Sequence, residues 1–222
     1  NDYRKMRLKS LKLFLLGIFA LIFVMSMASA VTLAEWPLTS DGAAINVATN
    51  LNAGNLTAGS TISGLTFNST NGATGTGWNQ GTLGANDYYQ VTLTATSGFN
   101  FTISSISFNQ ISDIVTTNMS FDVNWSKNNF ATSTNIVLGG VSTTTSTMSS
   151  TNTNINLTGG ETLTLRIFGY NSDNSSTETF SVKNLNIQGT TVLVTPTPTT
   201  PPEITACNAT GNPGDLDVRQ ID

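Results

Sequence analysis

Four side chains, Tyr88, Arg166, Phe168 and Tyr170, combine flat rings with a guanidinium and fall on the polar side of segments whose other side is apolar. Exposed rings of this kind stack on the faces of sugar rings, and a tyrosine does so while keeping its hydroxyl in water. Arg166 lies on the same side as Phe168, so a ligand-binding platform is one reading of the group. The competing reading is second-layer packing under loops. Single exposed apolar residues are common enough on β proteins to favour this plainer account.

Other chemistry is narrower. The chain has no histidine, which excludes Ser-His-Asp and Cys-His nucleophilic catalysis and any His-ligated zinc. Glycoside hydrolysis needs two carboxylates about 5 to 10 Å apart in a cleft. The candidates Asp87, Asp113, Asp122, Glu161, Asp173 and Glu178 are scattered through loop-like contexts, where solvated acids are the simpler account, so no catalytic residue is assigned. A calcium ion held by Asp41, Asp87 or Asp173 with loop carbonyls is chemically reasonable for a β-sandwich, but no dense Asp spacing identifies a metal site. Asn-x-Ser/Thr triplets stand at Asn55, Asn68, Asn100, Asn118, Asn124, Asn156, Asn174 and Asn208. A chain this rich in Asn, Ser and Thr produces such triplets by chance. Even so, Asn118 and Asn124 occupy the polar side of their segment, where an attached glycan is accommodated.

The elements that would position these groups read as strands. Tyr89, Val91, Leu93 and Ala95 alternate with Tyr88, Gln90, Thr92 and Thr94, the two-residue period of a half-buried strand. Gly98 suits a turn, and the reading is a hairpin into the run Phe99, Phe101, Ile103, Ile106, Phe108, where Ser104-Ser105 shifts the phase and calls for a β-bulge. Met119, Phe121, Val123 and Trp125 form a third inward row, because a one-residue slip would bury the Asp122 carboxylate. Leu163, Leu165 and Ile167 give a fourth, and Phe180, Val182, Leu185 and Ile187 a last one with a phase shift at Asn184. Val31 to Trp36 reads as a first strand with Val31, Leu33 and Glu35 on one side. Residues 40–84 read mainly as long loops, with weak strand signals at Ile45 to Val47 and Ile62 to Phe67, and Ser142 to Thr153 reads as an edge strand or loop. About eight short strands, with no helical period after residue 30, predict an all-β, two-sheet antiparallel sandwich of jelly-roll type over residues 31–193.

Residues 6–30 read as a secretory signal, the alternative being an uncleaved membrane anchor, for which the apolar run is short of the roughly 20 residues that span a bilayer. Arg7, Lys9 and Lys12 precede the apolar run Leu13–Met25, and Ala28-Ser29-Ala30 offers small residues for cleavage. Asn1 to Lys5 precede the first Met and are set aside. Five of the nine basic residues fall before residue 31, leaving four against twelve acidic residues in the rest, which disfavours a nucleic-acid partner. Charged residues make up 10% of the chain, against about 25% in average globular proteins. Thr195-Pro-Thr-Pro-Thr-Thr-Pro-Pro202 reads as an extended spacer within the linker 194–202, and residues 203–222, with the lone Cys207, as the start of a second domain.

At Ala85-Asn-Asp-Tyr-Tyr-Gln-Val-Thr-Leu-Thr-Ala95, Gly98-Phe-Asn-Phe-Thr-Ile-Ser-Ser-Ile-Ser-Phe108 and Leu165-Arg-Ile-Phe-Gly-Tyr170, the chain resembles secreted β-sandwich modules of bacterial proteins with carboxy-terminal sorting signals and of archaeal surface proteins. The linker followed by Ile204-Thr-Ala-Cys-Asn-Ala-Thr-Gly211 is similar to methanogen surface proteins, where such a segment opens an Ig-like domain. The resemblance rests on strand motifs and implies no catalytic residue. It implies a non-catalytic module, secreted or at the cell surface, with a structural, adhesive or ligand-presenting role. Its partners would be glycans or other surface components, and its membrane contact only the signal peptide or an anchor further along. The alternative is a carbohydrate-binding module of a larger secreted enzyme.

Overall fold

A computed structural model describes residues 29–80, 83–112, 119–140, 144–171 and 178–194. The expected signal peptide up to residue 28, and the linker and second-domain segment from residue 195, lie outside the described residues. So do Asp113, Asn118, Asp173, Asn174, Cys207 and Asn208.

The described chain forms thirteen strands: β1 (Val31–Trp36), β2 (Leu51–Ala53), β3 (Thr57–Ala58), β4 (Ser63–Asn68), β5 (Gly72–Thr76), β6 (Asn79–Gln80), β7 (Tyr88–Ala95), β8 (Phe99–Ser112), β9 (Ser120–Ser126), β10 (Thr134–Gly140), β11 (Ser146–Leu157), β12 (Thr162–Asn171) and β13 (Phe180–Leu193). One sheet runs β11-β8-β13-β5-β4, with β1 also paired to β13. The other runs β10-β9-β12-β7-β2, with β3 on β7 and β6 on β12. Pairing is antiparallel except for the short β6–β12 contact. The expected two-sheet antiparallel sandwich is therefore what the chain folds into. From β7 onward it changes sheet at every step except the β9–β10 hairpin, as a jelly roll does.

The every-other-residue rows become the core. Tyr89, Val91, Leu93 and Ala95 are buried while Tyr88, Gln90, Thr92 and Thr94 are half-buried or more exposed. Phe121 and Val123 point inward, and Trp125 is half-buried against the same core. The Ser104 bulge is present: β13 skips from Ser105 to Ile103, and both Ile103 and Ile106 stay inside. The shift at Asn184 is present too, with φ at 54° and Val182 and Leu185 both buried.

Three expectations are corrected. The turn at Gly98, with φ 86°, does not close a hairpin: β7 and β8 belong to different sheets, so it carries the chain across the sandwich. The two outcomes share one local signal, because a glycine with positive φ serves either. In β1, Leu33, Ala34 and Trp36 are all buried, because a register irregularity between Thr32 and Ala34 breaks the expected alternation of Val31, Leu33 and Glu35 with Thr32, Ala34 and Trp36. Residues 40–84 hold five short strands, β2 to β6, instead of long loops alone. β4 falls on the weak signal at Ile62 to Phe67 and pairs with β5, while the Gly, Asn and Thr content of the others hides strands that are fixed by pairing with β7, β12 and β13. The Ser/Thr-rich stretch forms edge strand β11 on β8.

The sheets meet at an aromatic cluster. Phe180 of β13 stacks on Tyr89 at 5.9 Å and on Phe121 at 6.3 Å, both from the opposite sheet, and meets Trp78 edge-on at 5.2 Å. The Tyr89 hydroxyl donates to the Phe180 carbonyl at 2.6 Å, and burial pushes that phenol's pKa well up. Gly169 is required beside this cluster, since a Cβ there would lie 2.7 Å from the Trp78 ring and 2.8 Å from Phe180. Phe180→Ala should cost about 3 to 5 kcal/mol, because it opens a cavity between the sheets. Urea unfolding with an unchanged m-value measures this directly.

Candidate functional site

The outward residues of β7, β12 and β9 line up by register. Arg166 lies between Gln90 on β7 and Asn124 on β9, and Phe168 lies between Tyr88 and Asp122. Tyr170 follows, opposite Ser120. All four side chains singled out in the sequence thus share one sheet face, but they are not equally placed. Phe168 is only 5% exposed and serves as a floor, as the packing account has it. Tyr88, Arg166 and Tyr170 are half-buried.

The guanidinium of Arg166 is held between two rings. Its central carbon lies 3.9 Å from the ring centre of Tyr88 and 3.9 Å from that of Phe130. Both rings meet Phe168 edge-on, at 5.5 and 6.1 Å. Nε donates to Gln90 Oε1 at 2.8 Å. Partial burial lowers the arginine's pKa, since the charged form loses water. Cation–π contacts of this kind contribute about 0.5 to 2 kcal/mol each, more as the pair is dried.

Phe130 had no signal in the sequence. It sits in a polar connection of Ser, Asn and Thr between β9 and β10, with no alternation to mark it. Asn129 and Phe130 both have positive φ, 54° and 63°. For a bulky residue that conformation costs on the order of 1 to 2 kcal/mol. A polar brace holds it. Buried Ser126 accepts from the Phe130 N–H at 2.9 Å and the Asn128 N–H at 3.1 Å, and its hydroxyl donates to Asn128 Oδ1 at 2.8 Å. Asn128 Oδ1 also accepts from the Thr132 N–H at 3.0 Å.

At the far end of the face, the Tyr170 hydroxyl donates to Asp122 Oδ1 at 3.5 Å, a long contact. Burial raises the pKa of Asp122, and the tyrosine contact opposes this only in part. The folded state therefore gains from that carboxyl as pH falls, the opposite sense to a paired acid. Asn124 Oδ1 accepts from Asn135 Nδ2 at 2.8 Å.

The remaining candidates lie elsewhere. Asp87 is 3% exposed, accepts a hydrogen bond from the Thr61 hydroxyl, and borders a cavity of about 330 Å³ lined also by Trp78 and Asn86. Asp41 is a surface acid whose Oδ1 accepts from the Ala43 N–H at 2.9 Å. No group of three or more metal-binding side chains forms among the described residues. Glu161 pairs with Lys127 at 2.8 Å. Among the sequon asparagines, Asn55 and Asn156 are exposed, while Asn68 and Asn100 are half-buried at strand ends. Asn124 faces outward on β9, within the aromatic–arginine face.

No family model matches the chain, and no curated protein matches it. Among solved structures, it is similar to a family 4 carbohydrate-binding module at 14% identity, over 58% of this chain and 77% of that one, with a TM-score of 0.39. It is similar to a variant of the family 29 module CBM29-2 complexed with mannohexaose at 12% identity, over 72% and 92%, with a TM-score of 0.40. A further family 29 module gives 11% identity over 72% and 88%, with a TM-score of 0.39.

Two measurements check this description. Ser126→Ala removes the acceptor of two N–H groups and should cost about 1 to 3 kcal/mol in urea unfolding, with a loss of order at Phe130 seen in its ring resonances. The Lys127 ammonium, helped by the Thr158 N–H, holds the Glu161 carboxyl at about 2, below its ordinary 4.5. Its contribution is present above the ordinary value and fades as pH falls toward the folded one. Glu161→Gln should therefore lower Tm slightly at neutral pH, and the gap to the parent should close on acidification. The effect stays small because the carboxylate side chain is 38% exposed.

Proposed function

We propose that this chain is a non-catalytic binding module of a secreted or cell-surface protein, and that its ligand is a glycan received on the β7–β12–β9 face. The observation that carries this reading is Arg166 held between Tyr88 and Phe130 in a strained, braced loop. A bulky residue kept at positive φ to complete a half-exposed ring cluster marks a built surface, and such strain gathers at binding sites. Sugar recognition needs ring surface beside hydrogen-bonding groups, and the same face offers the Tyr88 and Tyr170 hydroxyls, the Asn124 amide and the Asp122 carboxylate. Three of the candidate carboxylates occupy separate surroundings: Asp87 by Thr61, Asp122 by Tyr170 and Glu161 by Lys127. This supports binding without hydrolysis. The basic and apolar leader of residues 6–30 supports export.

The test is retention on a glycan array and in affinity gels loaded with plant, fungal and bacterial polysaccharides. Phe130→Ala and Tyr170→Ala should each weaken binding about three- to tenfold, the range of one ring contact. Failure to bind any glycan, or binding indifferent to both variants, overturns the proposal.

A further inference from the structure

Three cations lie among the described residues, and they are not equally partnered. Lys127 is neutralised by Glu161, and Lys183 donates to the Ser69 carbonyl in the β4–β5 turn of its own sheet. Among the described residues Arg166 makes no ion pair and one hydrogen bond, from Nε to Gln90. The Tyr88 and Phe130 ring centres each lie 3.9 Å from its guanidinium carbon, which restrains the group, and its Nη nitrogens have no hydrogen-bond partner among the described residues. Asp122, the acid on the same face, is one register pair along, opposite Phe168 rather than Arg166, and its contact is the Tyr170 hydroxyl.

A planar, oriented guanidinium edge matches a carboxylate through two parallel N–H···O bonds, a fit that a neutral hydroxyl cannot reproduce. A partly dried charge with no counter-charge among the described residues is also a standing cost that an anionic ligand would relieve. The rings point the same way. Tyr88 and Phe130 each already give a face to Arg166, which leaves less ring surface for a neutral sugar to stack on.

Resting on the glycan reading above, we infer that the ligand is an acidic glycan, and that Arg166 receives the carboxylate of a uronic acid residue. Asn124, opposite Arg166, and the Asp122–Tyr170 pair then serve the sugar's neutral hydroxyls.

The experiment measures binding of the full chain to polygalacturonate, dextran sulfate and neutral glucomannan by affinity electrophoresis, at low and high salt. Polygalacturonate should bind about tenfold or more tightly than glucomannan and weaken with salt. Arg166→Gln should remove that advantage. Because this variant also loses two ring contacts, a second is needed: Asn124→Asp puts a carboxylate opposite Arg166 at a half-buried strand position and keeps the oxygen that Asn135 bonds. It should cut polygalacturonate binding about tenfold and weaken glucomannan binding by a clearly smaller factor, since only the acidic glycan meets a like charge. Equal binding of polygalacturonate and glucomannan, both indifferent to Asn124→Asp, overturns the acidic ligand while the glycan reading stands. A preference for dextran sulfate over polygalacturonate overturns the carboxylate. Binding to none of the three, together with none on the array, overturns the glycan reading itself.

Discussion

The hydrogen bond from the Tyr89 hydroxyl to the Phe180 carbonyl, inside a cluster of four rings, is the constraint from which the rest of the sandwich takes its spacing. Tyr89 belongs to one sheet and Phe180 to the other, so the bond fixes distance and orientation between layers that hydrophobic burial alone would leave free to slide. Each aromatic pair adds about 0.5 to 1.5 kcal/mol beyond its buried area. A buried phenol without its acceptor would cost about 1 to 3 kcal/mol. The interaction is therefore directional, and a simple loss of volume would not replace it.

Once odd-numbered Tyr89, Val91 and Leu93 are committed inward, even-numbered Tyr88 and Gln90 must face out, and the same logic on β12 sends out Arg166, Phe168 and Tyr170. The face is thus a by-product of the core register until Phe130 is added. That residue comes from outside the sheet, at a backbone cost, and converts one cation–π contact into a clamp on both sides of Arg166. The hydroxyl of Ser126 offsets the cost locally by satisfying two N–H groups at once.

Much of this was legible in the sequence, and the failures have one origin. Alternation gave β7, β9 and β12 with the correct inward sides, and the phase slips at Ser104 and Asn184 gave both irregularities, because these are properties of one strand. What alternation does not encode is which strand lies beside which. The Gly98 turn was therefore legible as a turn and illegible as a passage between sheets. Strands β2, β3, β5 and β6 owe their form to distant partners, and their small polar residues carry little of the signal. Tyr88, Arg166, Phe168 and Tyr170 were placed on one side correctly because they depend only on parity. Phe130 depends on a loop bent by side-chain hydrogen bonds, which leaves no period to detect.

The pairing of β1 with β13 bears on how the module would behave under load. Val31 opens β1 opposite Gly189, and β13 runs on past it to Leu193, so the chain enters and leaves at the same end of two antiparallel neighbours. A pull applied at those two points separates the strands like a zipper, breaking rungs one after another rather than shearing the whole ladder together. Tension along a tethered polypeptide would peel β1 first. The β7–β12–β9 face, in the other sheet, lies off that line of force.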